Sequence, residues 1–211
     1  MLKIQDALRE IVHKDDEALT ALSGGYMNLS AYAQHIQRSV ETLTKKDVGV
    51  PSIVVGLSRL RQELKKAPPL IQKIEIRTIT TKSPLSEIVF EKNPKLLSRL
   101  SSLYENVQTT NDDFLTMTLS TNEITVICSE RIKKAVLCHF KDTPVIIQDE
   151  LAAIGLSLDP KYYDMPNITF SLIRRIAQKR IVLAETITTH TEIIFVFKQK
   201  NLADILPLFQ N

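Results

Sequence analysis

The fold is decided by residues 165–209, which read MPNITFSLIRRIAQKRIVLAETITTHTEIIFVFKQKNLADILPLF. Pro166 favours the first turn of a helix, where its missing N–H group needs no partner. Two β-rich runs follow, separated by a short polar turn, and a second apolar-faced helix closes the stretch. A weaker copy of the same plan lies at residues 93–140. The chain therefore contains two copies of one α+β pattern.

The two copies can be aligned with each other. Pro94 falls opposite Pro166 at an offset of 72, and Glu123 falls opposite Glu192 at an offset of 69. Leu119 falls opposite Ile187 in the same alignment. Each copy has the order strand, helix, strand, strand, helix, and a further strand is available after the first copy. This order predicts two ferredoxin-like βαββαβ domains, each with a single sheet covered by helices on one face.

A helical head precedes the two copies. Residues 1–66 carry apolar positions at helical spacing, with Asp15 and either Asn28 or Ser30 as candidate helix caps. The Ala67-Pro68-Pro69 stretch ends this head, because proline removes N–H donors and favours an extended chain before it. The expected domains are residues 1–66, 70–142 and 143–211.

Composition limits the class of protein. The chain has 211 residues, of which 44% are hydrophobic and 24% charged, as in ordinary globular proteins. The net charge of +3 is too small to indicate a nucleic acid, a membrane or an acidic substrate. No apolar run approaches the roughly 20 residues that span a bilayer, and the first residues lack a signal-peptide pattern. Cys128 and Cys138 are predicted to be reduced core thiols. We expect a cytoplasmic protein with no membrane partner.

The last helix of the head has a polar face of the kind that contacts DNA. Two consecutive helices, the second ending in SRLRQELKK, are typical of a helix-turn-helix, in which the later helix enters the major groove. The candidate nucleic-acid-binding residues are Ser52, Ser58, Arg59, Arg61 and Gln62. Ten cations against eight anions leave residues 1–66 at +2, which is a weak basic footprint. DNA is one candidate partner, and a solvated face or a protein-binding surface is the alternative.

Catalytic signatures are absent from the sequence. It contains no Walker loop, GxGxxG, HExxH, GxSxG or CxxC motif. The four histidines are scattered without the spacing of metal ligands. We therefore predict no catalytic residue, no metal site and no cofactor, and we expect that the protein is not an enzyme.

Parts of the chain resemble known families. Residues 26–33 and 52–60 are similar to the head of an uncharacterised prokaryotic family, a resemblance that implies no activity. Residues 70–211 resemble ACT domains, small effector-binding modules attached to enzymes and regulators of amino-acid metabolism. The second copy is most similar to the aspartate kinase regulatory type, through LAAIGLSLD, the MPN loop, ITFSLIRRIAQKRI and TITTHTEIIFVF.

Two glycine positions of such domains are changed here. The glycine usual beside the loop proline is replaced by Asn167 in the second copy and by Lys95 in the first. The glycine usual after the first helix is replaced by the pair Lys179-Arg180. Because glycine lets the backbone approach a ligand closely, both changes bear on ligand binding.

The start of the first helix in each copy is the candidate ligand site. Its unpaired N–H groups and positive dipole end suit a carboxylate, and Asp159 could hold an ammonium group. The candidate ligand-binding residues are Asp159, Asp164, Met165, Pro166, Asn167 and Ile168 in the second copy, and Glu91, Asn93, Pro94 and Lys95 in the first. A proline-started helix with an asparagine cap also forms without any ligand.

The predicted function is that of a non-enzymatic regulator. The ACT-like copies would sense an amino-acid effector and form a homodimer, since a second copy can cover the exposed sheet edges. The helical head would bind the target of regulation, for which DNA is the candidate. The alternative is a free-standing regulatory subunit or a protein-interaction module for an amino-acid metabolic enzyme.

Overall fold

The computed structural model describes residues 2–67 and 69–210, so Pro68 of the predicted boundary lies outside the described residues. The chain divides into two compact units, Met1–Gln72 and Lys73–Asn211. Among the described residues, none of the helices is both long and apolar enough to cross a membrane.

The first unit, the helical unit, contains α1 (Ile4–His13), α2 (Asp16–Gly24), α3 (Leu29–Thr44) and α4 (Val50–Leu64). The side chain of Asp15 accepts a hydrogen bond from the Ala18 N–H at 2.9 Å, and that of Asn28 accepts one from the Ala31 N–H at 3.2 Å. Both predicted caps are therefore confirmed. The four helices enclose one apolar core, whose buried members include Leu8, Val12, Leu22, Ile36, Val40, Ile53, Leu57 and Leu60.

The described residues of the second unit, the sheet unit, form six strands and five α-helices. The strands are β1 (Ile76–Glu91), β2 (Leu115–Leu119), β3 (Glu123–Ser129), β4 (Ile146–Leu158), β5 (Leu183–Thr188) and β6 (Glu192–Lys198). The helices are α5 (Pro94–Leu100), α6 (Leu103–Asn106), α7 (Glu130–Phe140), α8 (Ile168–Ala177) and α9 (Leu202–Ile205). All strand pairs are antiparallel, and the order is β2-β3-β1-β4-β6-β5. On one side of the central β1–β4 pair the order is β1-β3-β2, and on the other side it is β4-β6-β5. The unit therefore consists of two equivalent halves, the first around β1 and the second around β4.

The two long strands join these halves into one sheet. Residues 85–91 of β1 pair with β3 in the first half, whereas residues 76–82 pair with β4 in the second half. Residues 151–157 of β4 pair with β6, whereas residues 146–148 extend along β1 in the first half. Each long strand is therefore the central strand of its own half and the fourth strand of the other half.

This arrangement corrects the prediction of two separate βαββαβ sheets. Residues 76–91 form one continuous strand, β1, and residues 146–158 form another, β4. Each of these strands takes part in both halves of the sheet. Each half keeps the strand order of a ferredoxin-like sheet, but the strand that completes it comes from the other half.

Bulges in the long strands explain the difference. The β1–β4 register shifts between Lys82 and Leu85, where Pro84 lies, and Glu150 of β4 has a left-handed backbone with φ 58°. Proline inside a sheet is found at such irregularities, where no ladder hydrogen bond is lost. Pro84 and Glu150 therefore lie at bulges, which bend a strand without ending it.

The helices of both halves lie on the same face of the sheet. Successive strand residues point to opposite faces, and the apolar clusters under the helices include Ile88 and Phe90 in the first half and Ile154 in the second. Leu85 and Leu151 pair with each other at the centre and point to the opposite face. There they form a third buried cluster with Ile127, Ala153 and Val196.

The two cysteines differ from each other. Cys128 is buried in β3, as predicted, and burial raises the pKa of its thiol to about 12. Cys138 is exposed on α7, so its prediction as a core thiol is wrong. The apolar positions of α7 that face the sheet are Ile132, Val136 and Phe140, and Cys138 lies on the other side of that helix.

A carboxylate is buried on the helix-free face. Glu87 is only 8% exposed. Burial raises the pKa of its carboxyl group, Glu185 raises that pKa further, and Lys198 lowers it. Because the pKa of Glu87 is higher in the folded than in the unfolded chain, its contribution to stability is present at low pH and lost as the pH rises through the folded pKa.

Glu87→Gln is therefore expected to raise the melting temperature at pH 7. The gain should shrink as the pH falls below the ordinary glutamate pKa of about 4.3, where the wild-type carboxyl is neutral in both states. Thermal melts at pH 7 and at low pH measure the effect, with Glu123→Gln, an exposed glutamate of β3, as the control. An equal gain for Glu87→Gln at both pH values would contradict the prediction.

Candidate functional site

The β2–β3 and β5–β6 hairpins are built in the same way. The Ser120 hydroxyl accepts a hydrogen bond from the Glu123 N–H at 3.0 Å, and the Thr189 hydroxyl accepts one from the Glu192 N–H at 3.2 Å. The predicted equivalence of Glu123 and Glu192 is thus confirmed by their equivalent turns.

One part of the predicted alignment is shifted by a residue. Leu119 pairs with Ile124 across the first hairpin, and Thr188 pairs with Ile193 across the second. Leu119 therefore corresponds to Thr188 and not to Ile187. The offset of 69 holds through both hairpins because their turns have the same length.

The predicted match of Pro94 with Pro166 is also wrong. Glu91 and Ser157 pair with the equivalent glutamates of β3 and β6, so the two long strands leave the sheet at the same level. Two residues later the sequence is Asn93-Pro94 in the first half and Asp159-Pro160 in the second. Residues 160–167 are therefore an additional segment that delays the start of α8 and has no counterpart before α5.

The additional segment forms one wall of a cavity of about 470 Å³, here called the α8 cavity. Its other walls are the first turn of α8 and the β5–β6 hairpin. The lining is both apolar and polar. Its apolar side chains are those of Leu158, Met165, Ile168, Phe170 and Ile193. Its polar side chains include the hydroxyl groups of Thr169, Thr188, Thr189 and Thr191, the carboxylates of Asp159 and Glu192, and the rings of Tyr163 and His190. Such a volume and mixture are typical of a site for a small polar ligand.

The structure places the predicted residues of the second copy unevenly. Asp159, Met165, Asn167 and Ile168 line the α8 cavity, whereas Asp164 and Pro166 do not. The hairpin wall at residues 188–193 and the Tyr163 ring were not among the predicted ligand-binding residues. The polar turn TTHT was visible in the sequence, but its position beside α8 depends on the pairing of β4 with β6.

Asp159 already has partners within the protein. Its carboxylate accepts a hydrogen bond from the Lys161 N–H at 2.9 Å and forms an ion pair with Arg77 at 2.6 Å. The Lys161 N–H, and then Arg77, hold the pKa of Asp159 below its ordinary value. The carboxylate therefore stays ionised, but it shares its negative charge with Arg77, so an incoming ammonium group would not meet an unpaired acid.

Asn167 keeps the backbone conformation that a glycine would favour. Its φ is 68°, in the left-handed region that asparagine enters more readily than most residues. The second changed position behaves similarly, since Arg180 has φ 55°. Both glycine replacements in the second half therefore preserve the local path of the chain. Lys95 instead lies inside α5.

The first turn of α8 offers backbone N–H groups to the cavity. Ile168, Thr169 and Phe170 line it, and the first N–H groups of a helix have no partner within that helix. The helix is ten residues long, and its N-terminal end carries a partial positive charge. A carboxylate at this end of the cavity would therefore be stabilised.

The first half has a cavity in the corresponding place, of about 670 Å³. Of the predicted residues, Glu91, Asn93 and Pro94 line it and Lys95 does not. The Asn93 side chain accepts a hydrogen bond from the Leu96 N–H at 2.9 Å, and α5 has only seven residues. Because the asparagine cap already occupies this helix start, the first-half cavity is a weaker candidate for binding a carboxylate.

The predicted DNA-binding residues all lie on α4 and are unequally exposed. Ser52, Arg59 and Gln62 are exposed on α4, whereas Ser58 and Arg61 are half-buried. The α3–α4 connection consists of residues 45–49, which is longer than the usual three or four residues of a helix-turn-helix. The helix-turn-helix expectation is not confirmed. Within the ranges that the structure describes, no cluster of metal-ligating side chains is present either.

Comparison with known proteins identifies the fold of the sheet unit. No protein-family model and no curated protein matches the chain. Among solved structures, aspartate kinase of Clostridium acetobutylicum is similar, with a TM-score of 0.52 and 10% identity over 65% of this chain and 35% of that one. The ligand-free regulatory subunit of aspartate kinase from Thermus thermophilus has a TM-score of 0.51 and 8% identity over 64% of this chain and 95% of that one.

A third similar structure is aspartokinase III of E. coli in complex with aspartate and ADP, with a TM-score of 0.51 and 7% identity. The match covers 64% of this chain and 33% of that one, so the chain spans about a third of each of the two aspartokinases. At these identities the likeness defines the fold: an α+β arrangement with a six-stranded antiparallel sheet, as in aspartate kinase regulatory domains.

Proposed function

We propose that the protein is a non-enzymatic regulator whose sheet unit binds a small amino-acid effector in the α8 cavity. This proposal rests on one observation: the α8 N-terminus, the hydroxyl groups of the β5–β6 hairpin and the Glu192 carboxylate surround the same cavity of about 470 Å³. The two ends of an amino acid carry opposite charges, and the cavity offers opposite partial charges to match them.

The effector would be oriented by these charges. Its carboxylate would accept hydrogen bonds from the first-turn N–H groups of α8, where the helix dipole stabilises an anion. Its ammonium group would lie nearer to Glu192, because the Asp159 carboxylate is already paired with Arg77. Leu158 and Ile193 would contact the side chain of the effector. An effector changes the behaviour of the protein only by binding one conformation better than another.

The comparisons favour a separate regulatory subunit over a DNA-binding regulator. The chain covers 95% of the Thermus thermophilus regulatory subunit at a TM-score of 0.51. The helical unit, in contrast, has a weak basic footprint and a long α3–α4 connection. We therefore propose that the target of regulation is an enzyme of amino-acid metabolism, bound as a protein partner.

A homodimer is part of this proposal. Val145, Ile146 and Ile147 are 63%, 50% and 46% exposed. Residues 146–148 of β4 pair with β1 on one side, whereas β6, on the other side of β4, pairs with residues 151–157. An apolar strand segment with a free edge is a surface that a second copy can cover. Analytical ultracentrifugation of the full chain tests this point, and a monomer at tens of micromolar would remove it.

A thermal-shift screen against the twenty common amino acids tests the effector site. An effector present at 100 times its dissociation constant is expected to stabilise the folded chain by about 2.7 kcal/mol, which gives a clear rise in melting temperature. D-enantiomers of any amino acid that binds serve as controls, because the two charged ends and the side chain must meet three different walls. Flat melting curves throughout would contradict the proposal.

A further inference from the structure

A second cavity of the sheet unit, about 530 Å³ in volume, is lined mainly by cations and is here called the basic cavity. Lys179 and Arg180 follow α8, Lys198 ends β6, and Lys200 lies in the turn after β6. Asp204 supplies the one carboxylate among the described lining residues. Four cations and one anion give a formal charge of +3, which equals the net charge of the whole chain.

These cations have few partners within the protein. In the part of the chain that the structure describes, the side chains of Lys179, Arg180 and Lys200 take part in none of the hydrogen bonds or ion pairs, and Lys198 donates to the Asp149 carbonyl oxygen at 3.1 Å. The C-terminal dipole of α8 favours positive charge near Lys179 and Arg180 by a fraction of a kcal/mol. It does not explain Lys198 and Lys200, which come from a different element.

The first half shows how the same place is neutralised internally. Arg131 is the second residue after β3, as Lys200 is after β6, so the two positions are equivalent at the offset of 69. Arg131 forms an ion pair with Asp113, which precedes β2, and this contact holds the pKa of Asp113 well below its ordinary range. β5 has a bulge between Leu183 and Glu185, so Leu183 corresponds to Leu115 and the residue equivalent to Asp113 is Ile181. The second half has therefore exchanged an internal counter-ion for an apolar side chain.

The exchange leaves an apolar surface beside unpaired cations. Val182 is 80% exposed and lines the basic cavity with Ile181. A cluster of lysines with one arginine suits several neighbouring phosphate oxygens, since arginine binds two of them at once and lysine neutralises the remainder. The volume lies within the usual range of roughly 300–1,000 Å³ for small-molecule sites.

We propose that the basic cavity binds a small ligand with two or more adjacent phosphate groups, with Lys179, Arg180 and Lys200 as its anion contacts. This site is separate from the α8 cavity. Glu192 at the start of β6 lines the α8 cavity and Lys198 at its end lines the basic cavity, six residues or about 20 Å away along the strand. The proposal does not depend on the effector proposed above.

Isothermal titration of the full chain with inorganic pyrophosphate, and separately with ATP, tests this site. Both titrations are expected to show binding that weakens as the salt concentration rises. Similar affinities would assign the site to the phosphate groups alone, and tighter binding of ATP would add a contact of the nucleoside with Ile181 and Val182. Absence of heat with both probes at millimolar concentration and low salt would overturn the proposal.

Val182→Asp is the decisive variant, because it adds a carboxylate to the lining of the basic cavity at a position that is 80% exposed. It is expected to weaken binding of both probes at least tenfold without lowering the melting temperature. The Lys179→Glu/Lys200→Glu double variant should do the same, whereas Lys95→Glu/Lys134→Glu changes the net charge equally at exposed lysines elsewhere. Equal loss in both double variants would show a general charge effect and overturn the assignment.

Discussion

Leu151→Ala is expected to destabilise both halves of the sheet unit together, by about 2–5 kcal/mol. Leu151 is fully buried at the centre of the sheet, where it pairs with Leu85 and contacts the cluster on the helix-free face. Removing its side chain leaves a cavity at the point where β1 and β4 pass from one half to the other. The loss should reach β3 and β6 equally, because both strands pair with these two long strands.

Native-state hydrogen exchange measures this prediction strand by strand. The free energy of opening should fall by the same amount for the amides of β3 and β6. Leu119→Ala is the size-matched control, since Leu119 is 50% exposed on β2 and its loss should change stability by less than about 0.5 kcal/mol. Lower protection of β6 with unchanged protection of β3 would show two independent sheets, as the sequence pattern predicted.

Thr191→Trp is expected to abolish the amino-acid-induced rise in melting temperature and to weaken effector binding at least tenfold. Thr191 lines the α8 cavity from the hairpin turn, and a tryptophan there would fill space that the effector needs. The hairpin itself should persist, because Thr191 uses its carbonyl oxygen to accept the Leu158 N–H at 2.7 Å. That contact is independent of the side chain.

Asn122→Trp is the matched control for this experiment. Asn122 lies at the equivalent turn position of the first half, where its carbonyl oxygen accepts the Lys92 N–H at 2.9 Å, and it lines the first-half cavity. Titration calorimetry with the effector found by thermal shift should give the wild-type affinity for this variant. Loss of binding in Asn122→Trp alone would move the effector to the first half.

Local features of the fold were predictable from the sequence, and the shared strands were not. Asp15 and Asn28 act within one turn of their helices, so a short window of sequence is enough to identify them. Pro84 and Glu150 lie in segments that favour a turn when considered alone. Whether such a segment folds back or continues as a bulge depends on partner strands far away in the sequence, and here both long strands continue.

Only part of the candidate site could be predicted from the sequence, for the same reason. The start of α8 could be found from Pro166 and Asn167, which are typical of a helix N-terminus. The hairpin at Thr188–Ile193 is 20 residues further along, and only the sheet order brings it to the same cavity. The predicted match of Pro94 with Pro166 was wrong, because nothing in the spacing of the prolines shows that residues 160–167 are an added segment.

The most direct measurement of effector binding is an NMR titration of the ¹⁵N-labelled full chain with the amino acid selected by thermal shift. Occupation of the α8 cavity predicts saturable shifts that are largest for the amides of Ile168, Thr169 and Phe170 and for the turn at Thr189 and Thr191. The equivalent turn at Ser120 and Asn122 should stay unshifted. Shifts centred on the first-half turn, or no saturable shift at α8, would contradict the proposed regulatory site.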